Sequence, residues 1–287
     1  MSRVPALLAL LSSCLWGVSD FLGGTASRRL PVPSVLGLSQ LTGLLVLLPV
    51  AAATGAFGTS RGYLLPAAAA GLAGVTALGM FFRALSIGTM GVVAPVAALG
   101  VGVPVVVGLG RGESPSAWQL AGIVIAVIGV VLASGPELSG GGAGGAQALL
   151  LAGGAAVGFG VVLLLVAQAS EGESGAVVMT LLTMRATSVC VLTVLLMAFA
   201  RRRGWGLSIT SRDLPLLVSI GVFDVAANGT YAVASRSSLV SVASVLASLY
   251  PVVTALLAFR IHGERLARLQ LIGVAASLTG VVLLAAG

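Results

Sequence analysis

Lysine is missing from this chain, and charge of any kind is scarce: 8% of its 287 residues are charged. A soluble domain carries about 25% charged residues, so the side chains needed to cover a water-facing surface are not there. One histidine and two cysteines supply no metal-ligand cluster and no disulfide framework. Cys14 and Cys190 both fall inside apolar runs, where a thiol is simply a small hydrophobic side chain. Without lysine no phosphate-binding P-loop can be built. Gly140 to Gly145 matches a dinucleotide fingerprint by letter but has no strand before it. Gly172-Glu-Ser-Gly175 lies in an acidic loop, and His262 sits in another, basic loop where it reads as a solvated residue. The chain therefore reads as a non-enzyme with no cofactor and no metal. Net charge is +7, but the arginines are scattered over short turns without an aromatic stripe, which argues against a nucleic-acid partner.

What is present is apolar sequence in long blocks. Hydrophobic residues make up 58% of the chain and the mean hydropathy is +1.13. A bilayer core needs about 20 apolar residues of helix to cross it. Punctuation by Gly, Pro, Ser and charge predicts ten spans, at 4–24, 33–53, 64–85, 89–110, 117–134, 146–168, 177–200, 213–235, 239–259 and 266–286. Backbone amides have no water partner in hydrocarbon, and runs without period-2 alternation choose helices over barrel strands. Pro66, Pro115 and Pro215 fall in first turns, where the missing amide costs nothing. The N-terminal run is too long for a signal peptide and reads as the first span.

The chain also repeats itself. A shift of 151 aligns Gly112-Glu113 with Gly263-Glu264, Gln119-Leu120 with Gln270-Leu271, and Gly129 to Leu132 with Gly280 to Leu283. A shift of 150 aligns Gly71, Val75, Ala77, Gly79, Phe81 and Ala84 with Gly221, Val225, Ala227, Gly229, Tyr231 and Ala234. The expectation is a first five-helix repeat over 1–135, a Gly-rich linker over 136–145, and a second repeat over 146–287. An odd number of spans per repeat makes the second enter the membrane in the opposite direction. Inverted repeats that rock around a midplane site are how many secondary transporters alternate access. Arginine counting places Arg3, Arg61, Arg111 and Arg236 on the side of the termini. It places the larger group, including Arg28, Arg29, Arg201 to Arg203, Arg212, Arg260, Arg265 and Arg268, opposite. On charge alone the termini face away from the cytoplasm.

Taken with Leu15-Trp16-Gly17 in the first span, the Gly-Glu, Gln-x-x-Gly and Gly-Val-Val-Leu pieces of the fifth and tenth, and Tyr250-Pro251 in the ninth, the chain resembles the EamA-type proteins of the drug/metabolite transporter superfamily. The resemblance implies ten helices in two inverted repeats around a central cavity for small-molecule export or uptake. It also implies cytoplasmic termini, opposite to the arginine count.

Ionisable groups inside a span cost several kcal/mol unless paired or facing a wet cavity, which makes them default site candidates. Four qualify: Asp20, Arg83, Arg185 and Asp224. Asp224, Asn228 and Tyr231 share one helix face, as do Trp16 and Asp20. With Tyr250 they form a candidate substrate or coupling set, in which an Asp titrates as protons exchange for substrate. The competing expectation is structural, with Arg185 paired to Asp224 and Asp20 to Arg83. Gln40 occupies the position matching Arg185. Glu113 and Glu264 are expected to pin turns against Arg111 or Arg265, and Pro95, Pro104 and Pro251 are candidate hinges.

The resulting expectation is an all-α integral membrane protein, a secondary active transporter of a small polar or amphipathic metabolite or drug. Its partners are that substrate, the lipid bilayer and a coupled proton; oligomeric state is open. The lysine-free Ala, Gly, Val and Arg bias suggests a GC-rich coding sequence and hence a bacterial inner (plasma) membrane. The alternatives are a flippase for a lipid-linked intermediate and a non-transporting scaffold or partner subunit.

Overall fold

The computed structural model describes residues 3–110, 142–173, 175–203, 209–236 and 249–286, together with scattered positions of 116–132 and 243–247. Among the described residues there is no strand. The helices are α1 (Arg3–Ser27), α2 (Val32–Ala53), α3 (Leu64–Ile87), α4 (Met90–Ala98), α5 (Gly102–Gly110), α6 (Gly142–Ala169), α7 (Ala176–Arg203), α8 (Leu214–Arg236), α9 (Tyr250–Leu257) and α10 (Arg268–Ala286). Six of them, α1, α2, α3, α6, α7 and α8, hold segments long and apolar enough to cross a bilayer unaided. Their outward side chains, such as Leu7, Leu45, Leu65, Leu150 and Val194, are exposed and suit contact with lipid chains rather than water.

One expected span is interrupted among the described residues. The 89–110 span is α4 and α5 joined by a 3-10 turn at Leu99–Val101. Pro104 stands third in α5 and has no amide to return to the Gly100 carbonyl, so the helix is rewound just before it. Pro95 sits inside α4 and Pro251 in the first turn of α9. Beyond Leu257 the chain widens into a π-helical turn, Ala258–His262, and stops at Gly263, whose φ of 65° is left-handed and suits glycine.

The Gly-rich stretch expected to be a linker departs from that expectation where it is described. From Gly142 it is already the first turn of α6. Glycine disfavours a helix by about 1 kcal/mol per residue in water, but a membrane-entering backbone must satisfy its own amides. Residues 136–141, Glu113 and Pro115 lie outside the described residues.

Close packing of small residues holds the bundle together, as expected where lipid removes the hydrophobic drive between helices. A Cβ on Gly71 of α3 would lie 2.6 Å from the Met184 carbonyl oxygen of α7 and 2.9 Å from Thr187 Cβ. Gly221 of α8 meets Ser39 O and Thr42 Cβ of α2 in the same manner, and even more closely at the carbonyl. Likewise, Gly17 of α1 packs on Tyr250 O and Val253 Cβ, while Gly160 of α6 packs on Gly100 O and Val103 Cβ. Exchanging the two halves of the chain therefore maps each contact onto its mate, the reciprocity of an approximate two-fold axis. Helix directions show the inversion. Gly23 and Gly24 neighbour Phe82 and Leu85, so α1 and α3 are parallel; Gly154 and Gly158 neighbour Met80 and Ala77, so α3 and α6 are antiparallel. The first helices of the two repeats thus run oppositely.

Candidate functional site

The approximate two-fold relates the walls of a central cavity with about 750 Å³ of empty space, its mouth included. Small residues keep it open: Ala70, Gly71 and Gly74 on α3, Ala97 and Ala98 on α4, and Gly100 in the 3-10 turn. The break that Pro104 makes in the fourth span thus falls at the cavity wall.

The polar residues come mainly from α1, α7 and α8. Arg185 is 3% exposed and Asp224 8% exposed, and Arg185 Nη2 lies 2.7 Å from Asp224 Oδ2. Arg185 Nη1 donates to Gln40 Oε1 at 2.6 Å. Asn228 Nδ2 donates to Asp224 Oδ1 at 3.0 Å and to the Asp224 carbonyl at 2.8 Å. Buried opposite charges hold only if their remaining hydrogen-bond capacity is also met, and Gln40 and Asn228 do part of that. Arg185 Nε and Nη2 have no hydrogen-bond partner: Nη2 meets Asp224 as an ion pair alone, and Nε lies beside the close α2 contact, where a Cβ on Gly43 would be 3.4 Å from it.

Asp20 differs. It lines the cavity and is 6% exposed, yet no hydrogen bond or salt bridge reaches its carboxylate among the described residues. Tyr250 shares the cavity wall, and its buried hydroxyl also lacks a hydrogen-bond partner. Trp16 and Phe159 bring further aromatic surface from α1 and α6. Phe81, fully buried, crosses both Phe159 and Tyr250 edge to face, with ring centroids 5.4 Å and 6.4 Å away, which fixes the two rings in place.

Of the residues singled out in the sequence, Trp16, Asp20, Arg185, Asp224, Asn228 and Tyr250 all reach this cavity. Tyr231 stands behind it. Its hydroxyl donates to the Leu163 carbonyl at 3.2 Å and its ring lies 5.8 Å from Trp16. Arg83 is exposed on α3 and not among the cavity residues, and Asp20 has no salt bridge to it. The structure adds Gln40, Ser188 and Phe159 to the cavity. Gln40 carried a usable signal, a long polar side chain inside an apolar span. Phe159 carried none, since one aromatic in such a helix looks like any other.

At the end of the bundle where α1 and α9 finish, the repeats are tied by polar contacts. Arg28 forms an ion pair with Glu264, whose other oxygen accepts the Met90 amide at 3.0 Å. Glu264 therefore caps α4 of the opposite repeat, an N-terminal position that favours an anion, and its arginine is Arg28 rather than the expected Arg111 or Arg265. His262 is not simply solvated: its Nε2 shares a 2.8 Å hydrogen bond with Thr25 and its ring packs on Phe21. Nearby, Arg29 lies 3.9 Å from Asp213. The Thr210 hydroxyl and amide hold the Asp213 carboxyl below its ordinary range, with Arg29 adding to the effect.

A helical membrane bundle of two inverted halves, closed around a partly charged cavity, has the architecture of a membrane transporter. The EamA-like transporter family profile matches residues 3–135 and again 146–286, and the chain belongs to that family. A solved crystal structure superposes with a TM-score of 0.69 over 98% of this chain and 97% of its own, at 18% sequence identity; that likeness concerns the fold. A comparison with curated proteins finds no match.

Proposed function

We propose that the protein is a secondary active carrier that moves a small polar or amphipathic solute by alternating access, as an exporter or exchanger in a bacterial plasma membrane, with protons as the counter-species. One observation carries the reading: the cavity lies between the two repeats, near the middle of their helices, and holds an ionisable side chain, Asp20, whose charge nothing among the described residues balances. Charge inside a membrane is costly, and Gly74, where a Cβ would meet only Val162 Cγ2 at 3.6 Å, is a position where a larger side chain would take up that space. A lone carboxylate there is neutralised by a proton or by a solute, which makes the two interchangeable. The Arg185–Asp224 pair then serves as a fixed strut beside Asp20, and the four groups Asp20, Asp224, Arg185 and Tyr250 set the cavity's charge.

The glycine contacts at Gly17 and Gly160 give the halves a matched pair of close, smooth surfaces on which to rock. The Arg28–Glu264 contact and the Glu264 cap on α4 close one end, so their release is the step that opens it. Hinge motion at Pro104 and Pro251 accompanies that step, because Pro104 interrupts the helix that borders the cavity and Pro251 opens another, α9, beside Tyr250.

The test is transport. Liposomes containing the purified protein are loaded with a bacterial metabolite pool and placed in a pH gradient. Selective, gradient-dependent loss of a few solutes from these liposomes, and not from protein-free ones, is the expected result. No movement by folded protein would favour the scaffold reading, and movement of lipid-linked compounds alone would favour the flippase.

A further inference from the structure

The two-fold relation that builds the cavity also shows where its chemistry is uneven. The contacts that pair Gly17 with Gly160 and Tyr250 with Gly100 make Asp20 the mate of Leu163. Those that pair Gly71 with Gly221 make Asp224 the mate of Gly74 and Asn228 the mate of Leu78, and all of these residues line the cavity. Asp20, Asp224 and Asn228 are therefore each faced, across the pseudo-axis, by an apolar residue. Only the aromatic pair, Trp16 and Phe159, and the long polar pair, Arg185 and Gln40, keep similar shape on both sides. A site shaped by two equivalent halves has become polar on one wall and apolar on the other.

Resting on the carrier reading of this site, we infer that the solute is an amphipathic organic cation. Its positive group sits against Asp20 and Tyr250, and its apolar body lies against Gly74, Leu78, Leu163 and Phe159. The charges select this class. Arg185 is matched by Asp224, 2.7 Å away, and its Nη1 donates to Gln40, so its charge is already balanced by a neighbouring carboxylate and does not call for an anion. Its unpartnered Nε is turned to Gly43 in the helix contact. That leaves Asp20 as the unbalanced charge among the described residues of the cavity. The aromatic rings of Trp16, Tyr250 and Phe159 attract a cation through their faces as well, and the Tyr250 hydroxyl, buried without a partner, can accept from an ammonium N–H.

Calorimetric titration of the full-length protein with probes that share one aromatic body decides the matter. The probes are 2-phenylethylammonium and its trimethylated form, neutral 2-phenylethanol, anionic 3-phenylpropionate, and zwitterionic phenylalanine. Both cations should bind at least about tenfold more tightly than the neutral, anionic and zwitterionic probes. Asp20→Asn should remove most of that preference while leaving the neutral probe unchanged, and Asp20→Glu should retain it. Should the Asn variant not fold, the ranking on wild type and on Asp20→Glu still decides. First place for the anion or the zwitterion would overturn the assignment, as would an Asp20→Asn protein that keeps its cation preference. Absence of cation binding by a wild type that transports other solutes would sink the cation assignment alone. Transport that is indifferent to filling the cavity would sink the carrier site itself.

Discussion

Arg185 and Asp224 meet at 2.7 Å across the contact between α7 and α8, with Gln40 and Asn228 completing a four-residue polar cluster in the middle of the bundle. Removing one member of such a pair strands the other. Arg185→Met or Asp224→Leu should each lower stability by about 3–5 kcal/mol, read as thermal unfolding in detergent. The double variant should regain most of the loss, because it removes both charges. If the double variant were as unstable as the sum of the singles, the two residues would not be acting on each other.

The paired glycines make a symmetric prediction. Gly71→Val and Gly221→Val each force a Cβ onto a backbone carbonyl that cannot move aside, and overpacking of this kind costs about 1–3 kcal/mol, occasionally more. The two should be alike, because their surroundings are alike. Gly153→Ala is the control: a Cβ there meets nothing within 4 Å, so stability should hold or rise slightly. A large difference between the two valine variants would argue against the two-fold packing.

The Arg28–Glu264 pair is partly exposed, with side chains 33% and 16% accessible. Partly exposed pairs contribute little to stability, roughly 0–1 kcal/mol. Glu264→Gln should therefore barely change unfolding, yet it weakens the tie between α1, α4 and the turn after α9. The expected readout is an altered transport rate together with faster labelling of a cysteine placed at Leu30. Unchanged transport and labelling would show that this end is not a moving closure.

Protonation of Asp213 sits outside the working range. Because Asp213 has a lowered folded-state value, its contacts are in place above the ordinary carboxylate pKa of about 3.9. They are lost only as pH falls through the still lower folded value. Asp213→Asn should thus leave the pH profile of transport unchanged between about pH 5 and 8, whereas Asp20→Asn should flatten it. A shifted profile in Asp213→Asn would move the proton site out of the cavity.

The sequence is legible here to the extent that physics is local. Lipid demands helices, so the long apolar helices could be read directly, and the aligned Gly71 and Gly221 announced contacts that the structure makes twice. Charge inside a span announced Asp20, Arg185 and Asp224. Of the two pairs the sequence offered, Arg185 with Asp224 forms, but Asp20 with Arg83 does not, because Arg83 turns outward on α3. The 3-10 turn before Pro104 was hinted at by the proline, but the cavity beside it needed the third dimension. So did the role of Glu264, whose partners Arg28 and Met90 come from the opposite repeat.

Filling the cavity tests the account most directly. Gly74 lines it, and a Cβ there finds only Val162 Cγ2, at an ordinary contact distance of 3.6 Å, so Gly74→Leu adds its bulk at the cavity wall. The measurement is gradient-driven solute movement in liposomes for wild type and Gly74→Leu, with unfolding temperatures alongside. The account predicts a variant as stable as wild type that has lost at least about nine-tenths of the transport. Wild-type transport by a folded Gly74→Leu protein would contradict it and place the solute path elsewhere.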